Sequence, residues 1–287
     1  MPDIAPATLT IRGRTLKLNE LLDARLNDPD YLDEMRLSLK QAQPFPHLVA
    51  KGWFHSTLLE LISEEFEKGP ADTLKVVEGQ HESHVRSVVG AELGPATQAY
   101  FNVINSGHFI RRLSYISGVD NLIADPHLFG GGLHETRHGG HFGVHRDFDR
   151  HLRTGLNNEM VFITYLNKNW DTAWHGELEL WDKEANVCVK KVAPEFGNTL
   201  ILPHGPISYH GHPTPLATPP GVTRRSVAAY YYRNLHAHED RALRETSLFL
   251  HEPPAMPIQR TSQAKRLIRS LTPPIIWDAL SRMKNSG

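Results

Sequence analysis

Cysteine is almost missing from this chain of 287 residues. Cys188 stands alone, so no internal disulfide can form, and a reducing, cytoplasmic setting is expected. Charge of either sign is not in excess. Lys and Arg number 31 against 32 Asp and Glu, for a net charge of -1, which removes the basic surplus that points to nucleic acid as a partner. Long apolar runs are also absent. No stretch approaches the roughly 20 apolar residues that cross a bilayer, and Met1 to Asn19 has no apolar run behind a basic start, so neither a transmembrane segment nor a leader peptide is expected. What remains is an ordinary globular composition, 40% apolar, in a length that suits one core with additions.

The first part of the chain reads as helical support, here bounded as residues 1–120. Leu16 to Leu22, Tyr31 to Ala42 and Phe54 to Lys68 space their apolar residues by three and four, as in Leu58, Leu59, Leu61, Ile62 and Phe66. Phe45-Pro46-His47-Leu48-Val49 interrupts them as a short extended lead-in strand near 45–50, since Pro46 ends a helix. Pro95 to Ile116 reads as one or two further helices, started at Gly94-Pro95 and stopped at Gly118.

From Leu128 the period changes. Short β-type runs separated by Gly, Pro, Asn and Asp cover Leu128 to Leu133, His141 to His145, Met160 to Leu166, Glu177 to Trp181, Val187 to Val192, Thr199 to Leu202, Ile207 to His210 and Arg225 to Tyr232. No crossover helices fit between them, so residues 121–235 are expected to form a jelly roll or another double-sheet barrel. The fold class is mainly β with helical N-terminal support, built on a cupin-like core whose mouth, lined by alternate side chains, makes a natural ligand pocket.

Within that barrel lies Gly139-Gly140-His141-Phe142-Gly143-Val144-His145-Arg146-Asp147-Phe148. With 18 His and 32 acidic residues, a single His-X-Asp arises by chance, and its context has to carry it. The context is a second His at the end of the seventh strand run. His145, Asp147 and His210 would offer two imidazoles and one carboxylate on one face of an octahedron, the open-sided arrangement that suits non-haem Fe(II). His210 and His212 share a face of an extended segment; the strand leads into His210, and His212, followed by Pro213, is expected at the rim. Arg225 opens the last strand run, where a buried guanidinium can hold a carboxylate by two parallel hydrogen bonds.

These segments together resemble the 2-oxoglutarate- and Fe(II)-dependent dioxygenases of the prolyl 4-hydroxylase-like group, over roughly Leu128 to Arg233 and more faintly at Pro44 to Phe54. Gly139 to Phe148 is similar to the collagen-type prolyl hydroxylase segment, and Tyr165-Leu166-Asn167-Lys168-Asn169-Trp170 to the segment after the third core strand of the hypoxia-sensing enzymes. The resemblance implies a double-stranded β-helix core, with His145, Asp147 and His210 as iron ligands and Arg225 and Tyr165 on the distal carboxylate of 2-oxoglutarate. It implies Fe(II) as cofactor, 2-oxoglutarate and O2 as co-substrates, and hydroxylation of an unactivated C–H bond with release of succinate and CO2. Asp147 favours hydroxylation over halogenation, because the halogenating relatives replace that carboxylate with a small residue. Two features depart from the pattern. Thr136 stands where many relatives carry a Tyr that touches 2-oxoglutarate, and Pro213 to Thr223 lengthens the segment between the distal His and Arg225.

For the substrate, a small molecule or a peptide, the candidate contacts are His134, Arg137, His141, Asp149, Arg150 and Trp174. Two other classes share these features: a non-catalytic cupin-like metal-binding or ligand-binding protein, and a His-rich zinc hydrolase. Within the oxygenase reading, a prolyl or peptidyl hydroxylase acting on a protein is the alternative. Residues 236–287 form a basic amphipathic tail, in which Arg260, Lys265, Arg266 and Arg269 interleave with Leu267, Ile268 and Leu271. It is expected to dock on the core or on a second copy in a homo-oligomer.

Overall fold

The computed structural model describes residues 7–68, 73–184, 186–235 and 248–250. The N-terminal segment opens with a hairpin, β1 (Thr8–Ile11) and β2 (Arg14–Lys17). The expected helix over Leu16 to Leu22 is therefore corrected. Leu16 belongs to β2, and only Leu18–Glu20 turn, as a 3-10 helix, because Arg12 and Gly13 supply the two positive φ angles of a tight hairpin turn.

Helix α1 (Pro29–Gln41) starts where Asp28 accepts from the Asp30 N–H and Pro29 fills the first turn. Strand β3 (Leu48–Lys51) is the lead-in strand, and α2 (Ser56–Lys68) follows it. The span from Pro95 divides into α3 (Pro95–Ile104) and α4 (Gly107–Ser117), because Ser106 caps the second helix by accepting from the Phe109 N–H. Gly118 ends α4 at φ 72°. Between α2 and α3 lies a hairpin that periodicity did not foretell, β4 (Leu74–Glu78) and β5 (Glu82–Ser87).

After the short β6 (Ile123–Ala124), eight strands build the barrel: β7 (Gly132–Thr136), β8 (His141–Arg146), β9 (Asn157–Tyr165), β10 (Leu178–Asp182), β11 (Val187–Val192), β12 (Asn198–Pro203), β13 (Tyr209–His212) and β14 (Arg224–Arg233). One antiparallel path runs β11-β10-β13-β8-β5-β7-β14-β9-β12-β3. Strands β11, β10, β13 and β8 form one half, and β7, β14, β9 and β12 the other. Strand β5 bends from one half to the other, pairing Ser83 with His141 and Arg86 with His134. Two four-stranded halves, between which the chain crosses at every step except β10 to β11, make a jelly roll, the double-stranded β-helix. A last strand, β15 (Leu248–Phe249), pairs with the end of β8.

The core has two layers, and β9 separates them by its period of two. Met160 and Phe162 face the helices, where Trp53, Phe54 and Phe109 surround Phe162 and Tyr100 packs on Phe54. Val161 and Tyr165 face the barrel interior with Leu178, Leu180 and Leu200. Each such side chain removed from water contributes about 1.5–3 kcal/mol. The helices thus press one barrel half flat from outside and leave the inner face to the site.

Candidate active site

Two strands and one turn bring the expected ligands together. His145 on β8 pairs directly with His210 on β13, and Asp147 follows where β8 ends. Their ligand atoms all lie within 4.8 Å of one another, and all three residues are buried. Asp147 Oδ1 is 3.4 Å from His145 Nε2, and Oδ2 is 3.7 Å from His210 Nε2. Each imidazole is oriented by its own backbone, His145 Nδ1 on the Gly143 carbonyl at 2.8 Å and His210 Nδ1 on the Ser208 carbonyl at 3.0 Å. That assigns Nδ1 the proton and turns the Nε2 lone pairs toward Asp147. Asp147 lacks such a backbone brace. Tyr230 of β14 donates its phenol O–H to Asp147 Oδ1 at 3.0 Å instead.

Burial alone would raise the Asp147 carboxyl, but His210 and His145 hold it below the ordinary carboxylate range. Burial also pushes His210 down to about 4. The set is therefore one anion and a neutral distal imidazole at neutral pH. Two nitrogens and one carboxylate oxygen converging on a common point fit a divalent iron ion with coordination positions left over.

A cavity of about 70 Å³ leads from these ligands to the opposite end of the barrel. There the guanidinium is that of Arg224, not Arg225. Arg224 is buried, donates from Nε to the Gly176 carbonyl at 2.7 Å, places Nη2 3.4 Å from Tyr165 Oη, and lies 5.0 Å over the Tyr165 ring. Strand β14 begins one residue earlier than the pattern suggested, so its even-numbered residues face inward. Arg225 points outward to Glu135 (3.1 Å), Glu67 (3.2 Å) and the Ser63 carbonyl (3.3 Å). A slip of one residue moves a side chain to the other face of the sheet.

Thr136 pairs with Arg224 in register and lines the cavity, as do Tyr165 and His134. His212 is not at a rim. Strand β13 runs through Tyr209–His212, and His212 lines the cavity, 5% exposed. His84 of the unforeseen hairpin lines it too, with Phe142, Ser226 and Tyr230. Burial pushes His84 down to about 3 and His134 to about 4. His84 Nδ1, His134 Nε2 and His212 Nδ1 are buried without hydrogen-bond partners. Unsatisfied polar atoms at the wall, with a guanidinium and a phenol at the base, fit a polar, anionic guest such as a dicarboxylate better than an apolar one.

The other candidate contacts fall at different ends of the barrel. His141 begins β8 beside the 137–140 corner. Arg137 is an exposed partner of Glu135, and Trp174 packs edge-on against Trp170 at 5.4 Å. All three lie at the Arg224 end, away from the ligand triad. Arg150 is exposed and bridges to Asn157 at the triad end. Asp149 is buried in a network that accepts Arg146 Nη1 at 2.8 Å and contacts His204 Nε2 at 2.6 Å. The Pro-rich segment after His212 closes the Arg224 end. Leu216 and Gly139-Gly140 exchange backbone hydrogen bonds, and the Ala217 N–H donates to the Trp174 carbonyl.

Residues 131–233 match the family model of the 2OG-Fe(II) oxygenase superfamily. The chain matches no curated protein. Among solved structures it is similar to a prolyl-4-hydroxylase of Pseudomonas putida, at 15% identity and a TM-score of 0.49, over 70% of this chain and 100% of that one. It is similar to a prolyl hydroxylase of Trichoplax adhaerens in complex with a hypoxia inducible factor peptide, at 16% identity and 0.48, over 70% and 90%. HygX of Streptomyces hygroscopicus, with nickel, 2-oxoglutarate and hygromycin B bound, is similar at 14% identity and 0.43, over 66% and 83%.

Proposed function

We propose, from the match of residues 131–233 to the family model of the 2OG-Fe(II) oxygenase superfamily, that the barrel cavity hydroxylates an unactivated C–H bond of a small molecule or peptide. The enzyme is an oxidoreductase that uses Fe(II), 2-oxoglutarate and O2. When bound, iron would activate O2, the oxidant; 2-oxoglutarate would give up two electrons as it is decarboxylated to succinate and CO2, taking one oxygen atom, and the C–H bond would give up two and take the other.

The chain's own residues bind and orient. His145 Nε2, the Asp147 carboxylate and His210 Nε2 hold the metal. Arg224 presents its guanidinium, and Tyr165 its phenol, to the distal carboxylate of 2-oxoglutarate, while Thr136 and His134 line the space between. Arg225 and Glu135 serve the outer face, where they join β7 and β14 to α2. The closed Arg224 end keeps bulk water from the co-substrate, and the substrate approaches from the triad end, where Arg150 lies. A cytoplasmic setting belongs to the same reading, since Cys188 has no second cysteine to pair with. Among the described residues, no helix is long and apolar enough to cross a membrane.

The observation that carries the reading is the pairing of three convergent buried ligands at one end of a narrow cavity with one buried guanidinium at the other. Succinate formation from 2-oxoglutarate, measured with and without Fe(II) in the wild type and Asp147→Ala, tests it. Iron-dependent turnover that vanishes in the variant is expected; turnover indifferent to either would sink the oxygenase reading. A screen for products heavier by one oxygen then identifies the substrate.

A further inference from the structure

The β4–β5 hairpin extends the inner face of the barrel beyond the cavity. Residues paired across antiparallel strands share a face. Arg86 pairs with His134, and His84, two residues before Arg86, faces the same way; His84 and His134 both line the cavity. One strand further out, Lys75 pairs with Arg86 and Val77 with His84. The alternate residues, Val76, Val85 and Glu135, face the other side. Arg86 and Lys75 therefore stand next to each other on the face that carries the cavity, Arg86 half-buried and Lys75 exposed.

Neither cation has a hydrogen bond or ion pair among the described residues. Arg14, Arg25, Arg137, Arg146, Arg225 and Arg233, by contrast, each have an acid within 4 Å. The nearest acid sharing the face, Glu82, is turned to His84, at 3.6 Å from its Nδ1. The Arg86 charge is felt inside the cavity, where it disfavours protonation of His84 and His134. A half-buried guanidinium without a counter-ion pays part of its desolvation unrewarded until an anion arrives.

We infer that Arg86 and Lys75 form a subsite for an anionic group, carboxylate or phosphate, of the primary substrate, separate from the Arg224 position that serves the co-substrate. The subsite rests on the oxygenase reading for the division between substrate and co-substrate, and on the strand pairing for its position. Two adjacent cations leading to the cavity would steer an anionic substrate toward it and fix one end of it, leaving the reacting carbon to be set by distance from the metal ligands.

The test uses the full chain loaded with Ni(II) and 2-oxoglutarate, so that the Arg224 end is occupied and nothing turns over. Inorganic phosphate and, separately, propionate are titrated by calorimetry at low ionic strength into the wild type, Arg86→Glu, Lys75→Glu and, as a control of equal charge change, Arg137→Glu. At least one anion is expected to bind the wild type and Arg137→Glu alike and to bind Arg86→Glu about tenfold or more weakly, the range of a lost charge-assisted hydrogen bond, with Lys75→Glu intermediate. Phosphate binding alone points to a phosphorylated substrate, propionate binding alone to a carboxylic acid. Equal binding by all four proteins, or by none, overturns the subsite. A parallel loss of 2-oxoglutarate affinity in Arg86→Glu also overturns it, by assigning Arg86 to the co-substrate. Failure of the oxygenase reading is seen separately, as absence of iron-dependent succinate in the wild type.

Discussion

The two ends of the barrel are built by opposite means. At the Arg224 end the closure is mainly backbone: Leu216 exchanges hydrogen bonds with Gly139-Gly140 and Ala217 donates to the Trp174 carbonyl, with one side chain added where His138 Nδ1 meets the Thr218 carbonyl at 2.7 Å. At the triad end the supports of Asp147 and its turn are side chains. Tyr230 holds Asp147, and Arg146, Asp149 and His204 tie the turn that carries it to the loop before β13. Backbone closure makes a rigid, sequence-tolerant floor. Side-chain bracing makes an end whose geometry depends on a few particular groups, and that is the end where a metal must be held and a substrate admitted.

The largest expected effect breaks the triad end outright. Asp147→Ala should weaken metal binding, read by Ni(II) or Co(II) titration under nitrogen, by more than the roughly 100-fold that outer groups can cost. At the other end, the two neighbouring arginines should behave as different residues. Arg224→Met should raise the KM for 2-oxoglutarate by about 30-fold or more, from the 2–5 kcal/mol lost when a buried charge pair is truncated. Arg225→Met should leave that KM alone and lower the melting temperature, because it removes the Glu135 and Glu67 contacts. The opposite pattern would restore Arg225 to the site.

A smaller effect separates bracing from ligation. Tyr230→Phe keeps the ring against Phe148 and removes the bond to Asp147; it should reduce metal affinity about tenfold and shift the Co(II) d–d spectrum, and an unchanged spectrum would show the phenol to be a bystander. Acid should act through the cavity wall. His84, His134 and His210 are pushed down to about 3, 4 and 4 by burial, whereas an unfolded His titrates near 6.5. Between about pH 6.5 and 4 the unfolded chain binds protons that the fold refuses, so metal-free stability should fall as pH falls through that window. His84→Asn should make the slope of unfolding free energy against pH shallower; an unaltered slope would mean that His84 is protonated in the fold. Smallest of all, Arg137→Ala should change the substrate KM by no more than about twofold, as surface positions do, because it lies at the wrong end.

Much of the site was legible because its residues sit close together in the chain or at the end of a clear strand. His145 and Asp147 are two apart, and the apolar run of β12 leads to His210. The Arg224 misreading has a different origin. Two adjacent arginines look alike to any pattern, and only the starting residue of β14, set by its pairing with Thr136 and Tyr165, decides which faces inward. His84 escaped because β5 is polar. Its apolar cue is Val85 alone, and the signal that would have found it is the pair of β-branched runs, Val76-Val77 and Val85, flanking Gly79-Gln80. The strand expected over Leu128 to Leu133 began later because Asp125 accepts from the His127 and Phe129 N–H groups and folds that stretch into a turn. The tail over 236–287 lies outside the described residues apart from 248–250.

Arg224 and Tyr230 occupy the same face of β14, six residues apart, a rise of about 20 Å. The register shift of that strand falls after Tyr231, beyond both. The segment between them is thus an unbroken gauge that sets, by counting residues, the spacing of the buried guanidinium and the phenol that holds Asp147. Substitutions within it can be absorbed one at a time, but inserting or deleting a single residue would turn one of the two groups out of the barrel, so variation in length should be confined to the loops on either side.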